Sequence, residues 1–108
     1  MDIVDKCTIV VGDYGSYLQF TLYDADDTAY ALTDATGIEI HVKKYGETTL
    51  SIDGTCSVSD ASGGVCRYLI SSLDTTRSGD FIGDIEVTEP GIITTWTPFY
   101  IKMIEEVG

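Results

Sequence analysis

The protein has 108 residues, of which 18 are Asp or Glu and 6 are Lys or Arg, so its formal net charge is -12 at pH 7. Such a surface repels a phosphate backbone and an anionic membrane, which argues against nucleic acid and membranes as partners. Because 44% of the residues are hydrophobic, the chain is too apolar for an acidic disordered tail, and its length predicts one domain over residues 1–108.

The first third of the chain predicts two strands, a turn and a short edge piece. Apolar and polar residues alternate over 3–11 and again over 17–23, and a period of two is typical of half-buried strands. The Gly-Asp-Tyr-Gly-Ser segment at 12–16 has turn chemistry and predicts a hairpin-like reversal. Residues 29–32 form a short apolar piece that we expect at a sheet edge.

The clearest strand is 37–44, Gly-Ile-Glu-Ile-His-Val-Lys-Lys, which we expect near the centre of the fold. Its β-branched residues occupy alternate positions and suit a pleated surface better than a helix. Burial of these side chains contributes about 1.5 to 3 kcal/mol each. Glu39, His41 and Lys43 then point to the opposite, solvent-facing side.

The second half of the chain predicts five further strands. They are expected at 50–53, 55–59, 65–70, 81–88 and 93–105. Between them, 71–78 is the one segment whose residues favour a helical turn. Pro98 cannot donate a ladder hydrogen bond and predicts a sheet edge or a β-bulge. The pattern as a whole predicts an all-β, immunoglobulin-like antiparallel β-sandwich of roughly seven to nine short strands.

The position of Trp96 follows from a predicted turn at 89–92. Its residues, Glu-Pro-Gly-Ile, fit a type II turn, in which Pro fixes φ at the second position and Gly supplies the positive φ at the third. If this turn pairs Thr88 with Ile93, Trp96 lies opposite Ile85 on the apolar face. We therefore favour a core position for Trp96, with a role as an anchor for a partner protein as the alternative.

The cysteines indicate free thiols in a reducing compartment. Cys7, Cys56 and Cys66 are odd in number and lack the Cys-x-x-Cys spacing of metal sites. A cross-strand disulfide between Cys56 and Cys66 remains the alternative. The first residues lack the basic and apolar regions of a secretory leader, and no apolar run approaches the length of a membrane span, which predicts synthesis in a cytoplasm.

Candidate residues for metal binding and catalysis are few. Asp24, Asp26 and Asp27 lie close together. A calcium-binding EF-hand loop that starts at Asp24 requires Glu at its twelfth position, where Ala35 stands, so a hairpin turn explains the cluster better. His41 is the single histidine and lacks the partners of a triad or a metal site. The sequence predicts a protein that is not an enzyme and has no cofactor and no metal site.

Three segments of the sequence share a pattern with a known family. GDYGS is followed by LQFTL within 12–22, LTDATGIEIHVK spans 32–43, and GDFIGDIEV spans 79–87. The second segment fits the pattern L-T-x-A-T-x-I-x-I-x-V-K and the third fits G-x-F-x-G-x-I-E-V. In these motifs the chain resembles the N-terminal immunoglobulin-like domain of phage baseplate upper proteins. The motifs consist of strand alternation and turn glycines, so they transfer no catalytic residue.

The resemblance implies a non-enzymatic adaptor or attachment domain in the tail baseplate or fibre region of a virion. Such a protein is made in the host cytoplasm and assembles in several copies with other phage structural proteins. One alternative is a capsid head decoration (cement) protein, and a second is a carbohydrate-binding module whose exposed aromatic rings stack on sugars. We expect contacts with partner proteins through the N-terminal segment and the loop tyrosines, namely Met1, Asp2, Ile3, Tyr14, Tyr17 and Tyr45.

Overall fold

Two β-sheets pack face to face and enclose the hydrophobic core. The computed structural model of the protein describes residues 6–106, with the side chains of residues 8–106. The strands are β1 (Lys6–Val10), β2 (Tyr17–Thr21), β3 (Gly37–Lys44), β4 (Leu50–Thr55), β5 (Ser57–Asp60), β6 (Val65–Leu69), β7 (Gly79–Glu89) and β8 (Ile92–Ile104). Within residues 6–106 no helix is long and apolar enough to span a membrane.

The strand order confirms the predicted immunoglobulin-like β-sandwich. One sheet has five strands in the order β1-β8-β7-β3-β4, and the other has three in the order β2-β6-β5. Neighbouring strands are antiparallel except for β1 and β8, which are parallel. The β1–β8 pair thus adds one parallel pairing to an otherwise antiparallel sandwich. A parallel pair needs a long connection, and here the rest of the domain supplies it.

The third strand lies inside the larger sheet, as its alternation predicted. It pairs with β4 on one side and β7 on the other. Ile38, Ile40 and Val42 are buried at 3%, 0% and 0% exposure, because they face the second sheet. The two layers meet at Phe20 and Phe99, whose ring centroids are 4.8 Å apart. The apolar alternation of strands in both sheets therefore converges on one core.

Trp96 is part of this core, which confirms the preferred prediction. The turn after β7 pairs Thr88 with Ile93 and places Trp96 opposite Ile85. Gly91 in the turn has a φ of 78°, as a type II turn requires. Trp96 is fully buried, and its ring contacts the ring of Tyr30 edge to face at a centroid distance of 4.8 Å.

Pro98 lies at a β-bulge, in agreement with the prediction. Gly83 pairs with Phe99 and Ile85 pairs with Trp96, so one residue of β7 faces two residues of β8. The extra residue interrupts the ladder of hydrogen bonds at the position where Pro98 has no N–H to donate. In the described residues, β1 pairs with β8 only on the C-terminal side of Pro98, from Tyr100 to Ile104.

Two predicted elements are absent. Residues 29–32 form no strand; the segment makes only an isolated bridge between Tyr23 and Ala29.

Residues 71–78 form a hydrogen-bonded turn and not the predicted helical turn. The Asp74 carboxylate accepts the N–H of Ser71 at 2.8 Å and the hydroxyl of Tyr68 at 2.6 Å. The Asp74 N–H also donates to the carbonyl of Ser71 at 3.0 Å, so the turn is closed in both directions, as in a capping box, but it does not continue into a helix.

Candidate interaction surface

His41 lies on the outer face of the five-stranded sheet among three carboxylates. Its Nδ1 is 2.9 Å from Asp84, and its Nε2 is 3.4 Å from Glu39 and 3.7 Å from Asp53. The strand register explains the arrangement, because Asp84 and Asp53 are the cross-strand partners of His41 on β7 and β4. The predicted outward direction of His41 is confirmed. Glu39 shares the predicted outward face of β3, whereas Asp53 and Asp84 were not predicted as neighbours because their positions depend on which strands flank β3.

These carboxylates favour the protonated imidazole. The hydrogen bond with Asp84 raises the pKa of His41 above 6.5, and the nearby negative charges add to the rise, against a smaller opposing effect of burial. In chemical terms the cluster stabilises a positive charge on the sheet surface. The described residues contain no group of His, Cys, Asp and Glu side chains arranged to hold a metal ion.

The aspartates at 24–27 form the predicted hairpin turn. The Asp24 carboxylate accepts the backbone N–H of Asp26 at 2.9 Å and that of Thr28 at 3.2 Å. Asp27 has a φ of 59°, in the left-handed region that Asp tolerates in turns. The carboxylate of Asp24, one of the three candidate ligands, therefore accepts hydrogen bonds from the backbone of its own turn.

Cys56 and Cys66 are buried free thiols, which confirms the preferred prediction over the disulfide. The hydrogen bond between the two thiols and their burial raise the pKa of Cys56. A thiol held protonated in this way is a poor nucleophile. The side chain of Cys7 lies outside the described part of the structure.

The three tyrosines predicted as contact residues lie at the same end of the sandwich, which we name the tyrosine end. Tyr14 lies in the β1–β2 loop, Tyr17 begins β2, and Tyr45 directly follows β3. The segment 70–78 joins these parts, because Gly12 donates to the carbonyl of Thr75 and Gly15 to that of Ile70, both at 2.9 Å. Of the predicted contact residues, Met1, Asp2 and Ile3 lie outside the described residues.

An ion pair ties the same segment to the turn that carries Tyr45. Arg77 donates two hydrogen bonds to the Glu47 carboxylate, at 2.9 and 3.0 Å, and a third to Ser51 at 2.9 Å. A bidentate pair of this kind fixes orientation as well as distance. The loops at the tyrosine end are therefore linked to one another by backbone and side-chain hydrogen bonds.

Exposed apolar side chains are concentrated at the tyrosine end. Tyr17 and Leu69 are cross-strand partners on the outer face of the smaller sheet, and both are about half exposed. The guanidinium of Arg67 lies 4.2 Å from the centroid of the Tyr17 ring. Away from this end the exposed large apolar side chains are Tyr23, Val58, Ile92 and Ile93. Those at the tyrosine end are Tyr14, Tyr17, Tyr45, Leu50, Leu69, Leu73, Tyr100 and Ile104.

A groove crosses the outer face of the larger sheet at the tyrosine end. The rings of Tyr45 and Tyr100 have an interplanar angle of 8° and a centroid distance of 6.3 Å. Together with Thr8, Asp80 and Lys102 they line a groove of about 560 Å³. The register sets these neighbours, since Lys102 pairs with Asp80 on one side and with Thr8 on the other. Tyr100 was not among the predicted contact residues, although its outward phase between Phe99 and Ile101 was a usable signal.

Comparisons with known proteins support the fold alone. No protein-family model matches the chain, and no curated protein matches it. The structure is similar to a chicken TCR, with a TM-score of 0.58 and 14% sequence identity, over 99% of this chain and 56% of that one. A family 123 glycoside hydrolase from Clostridium perfringens aligns over 97% of this chain and 23% of its own, with 11% identity and a TM-score of only 0.40. The likeness to the TCR is that of an immunoglobulin-type β-sandwich.

Proposed function

We propose that this domain is a non-enzymatic structural subunit of a phage particle, attached to other virion proteins in the tail baseplate or fibre region. The resemblance of its three sequence motifs to baseplate upper proteins supports the proposal. The observation that carries it is the concentration of exposed tyrosine and leucine side chains at the tyrosine end. A group of exposed apolar side chains at one end of a small protein supports a contact with another protein there.

The negative charge of the domain limits the kind of protein surface that can bind it. A net charge of -12 keeps free subunits apart by mutual repulsion, so attachment requires a partner with basic or apolar complementary patches. Aromatic side chains are enriched at the centres of such contacts, where they bury a large area at a small cost in entropy. The tyrosine end provides this kind of surface in a chain that is otherwise strongly acidic.

The sheet edges support attachment through side chains more than through strand addition. The edge strands β1, β4, β2 and β5 have only 5, 6, 5 and 4 described residues. Short edge strands limit pairing with strands of other molecules. The tyrosine end is therefore the better-formed docking surface.

Quantitative mass spectrometry of purified particles tests the proposal. A copy number that matches the three-fold or six-fold symmetry of a baseplate or fibre is the expected result. Copy numbers in the hundreds would instead indicate the alternative of head decoration. Absence of the protein from purified particles would contradict a structural role in the virion.

A further inference from the structure

We infer that the groove between Tyr45 and Tyr100 is a binding site for a neutral saccharide. The two rings are 53% and 37% exposed and form a nearly parallel stacked pair on the outer face of the sheet, so each ring keeps aromatic surface that a ligand can contact. The groove volume of about 560 Å³ falls within the range of roughly 300–1,000 Å³ that is typical of small-molecule sites. The inference concerns a ligand of the domain and does not depend on its place in a virion.

The aromatic part of the groove suits the apolar face of a pyranose ring. A pyranose carries C–H groups on one side, and these carry a small positive charge. The face of a tyrosine ring carries a negative quadrupole charge and attracts such groups. The exposed parts of the Tyr45 and Tyr100 rings offer such a contact at the groove.

The polar part of the groove suits hydroxyl groups. Asp80 supplies only acceptor oxygens, Lys102 supplies only donor hydrogens, and Thr8 supplies both. A sugar hydroxyl donates and accepts at once, so one ligand satisfies all three side chains. A proline-rich peptide, the other common ligand of aromatic grooves, offers carbonyl acceptors but no N–H at proline, so its proline residues use Lys102 and offer Asp80 no donor.

Charge selects neutral over anionic saccharides. Asp80 lies in the groove itself, and the protein carries a formal net charge of -12. A uronate or phosphate group would be repelled locally by Asp80 and at longer range by the whole surface. Lys102 is the one cationic side chain that lines the groove in the described part of the chain, and it lies next to Asp80 in the register.

The test is an NMR titration of the purified protein with three neutral oligosaccharides, chitopentaose, cellopentaose and maltopentaose. We expect at least one of them to produce saturable shifts in the amides of Tyr45, Tyr100 and Lys102. Tyr100→Ala should weaken that binding by about tenfold or more, as truncation of a central aromatic contact does. Tyr45→Ala should act in the same direction and serves as a second variant if Tyr100→Ala alters the spectrum globally. Tyr23→Ala at the opposite end, which removes a ring of similar exposure, should leave binding unchanged.

The alternatives are measured in the same experiment. No saturable shift with any of the three sugars would overturn the inference, and so would shifts confined to residues outside the groove. Preferential binding of polygalacturonate would overturn the preference for neutral ligands, and preferential binding of a decaproline peptide would assign the groove to proline-rich segments. Since none of these titrations involves particles, failure here leaves the virion proposal standing, and absence from particles leaves the saccharide site standing.

Discussion

The indole N–H of Trp96 donates a hydrogen bond to the backbone carbonyl of Tyr23, with an N–O distance of 2.8 Å. Trp96 lies in the larger sheet, while Tyr23 lies in the hairpin that follows the first strand of the smaller sheet. A second hydrogen bond also links this hairpin to the larger sheet, because the hydroxyl of Tyr30 donates to the Glu89 carboxylate. The buried indole therefore both fills the core and fixes the hairpin against the larger sheet.

Replacement of Trp96 by Ala should destabilise the domain by about 3 to 5 kcal/mol, because it leaves a cavity in the core. The measurement is urea unfolding followed by far-UV circular dichroism, since the variant has no tryptophan fluorescence. Ile93→Ala, at an exposed position on the same strand, is the control and should unfold close to wild type. A Trp96→Ala protein that unfolds like wild type but fails to assemble would make Trp96 a partner anchor.

Gly83→Ala should destabilise the domain by about 1 to 3 kcal/mol or more through overpacking. A Cβ at Gly83 would overlap the ring of Phe99 and approach the carbonyl of His41 to 2.8 Å. Gly37→Ala is the matched control, because Gly37 lies on the neighbouring strand and a Cβ there meets nothing within 4 Å. Equal unfolding midpoints for the two variants would contradict the packing of Phe99 over β7.

The pKa of His41 in the folded protein should lie above its ordinary value of 6.5, measured by NMR titration of the single imidazole. Because the folded pKa exceeds the unfolded one, the stabilisation is fully present below pH 6.5 and is lost as the pH rises through the folded pKa. The free energy of unfolding of wild type should therefore fall relative to that of His41→Gln over this interval.

Asp84→Asn should lower the pKa of His41, since the hydrogen bond with Asp84 is the largest cause of the rise. Asp26→Asn, in the exposed hairpin turn at the opposite end, is the control and should leave it unchanged. A folded His41 pKa at or below 6.5 in the wild-type protein would contradict the carboxylate cluster.

Cys56 and Cys66 should resist thiol reagents until the protein unfolds. Burial shields both thiols from the reagent, and the raised pKa of Cys56 further suppresses the thiolate of that residue. The measurement is the rate of reaction with Ellman's reagent in a Cys7→Ser background, with and without denaturant. Reaction of the native protein at the rate of an exposed thiol would contradict the buried placement, and loss of both thiols without reductant would indicate a disulfide.

The parts of the fold that depend on local pattern were predictable, and those that depend on tertiary neighbours were less so. The alternation of β3 and the Pro-Gly turn were sufficient to place Trp96 opposite Ile85. The parallel pairing of β1 with β8 was not predictable, because it joins the two ends of the chain. The surroundings of His41 and the Tyr45–Tyr100 groove likewise depend on strand order, which the alternation of single strands does not define.

The proposed attachment through the tyrosine end is tested most directly by the copy number of the protein in purified phage particles assembled with variants. In the double variant Tyr14→Ser with Tyr17→Ser, exposed rings at the tyrosine end are lost, while Ile92→Ser with Ile93→Ser removes exposed apolar side chains at the opposite end. Both pairs should fold like wild type by circular dichroism. We expect quantitative mass spectrometry to show a large loss of the first variant from particles and wild-type copy numbers of the second. Equal incorporation of the two variants, or selective loss of the second, would contradict attachment through the tyrosine end.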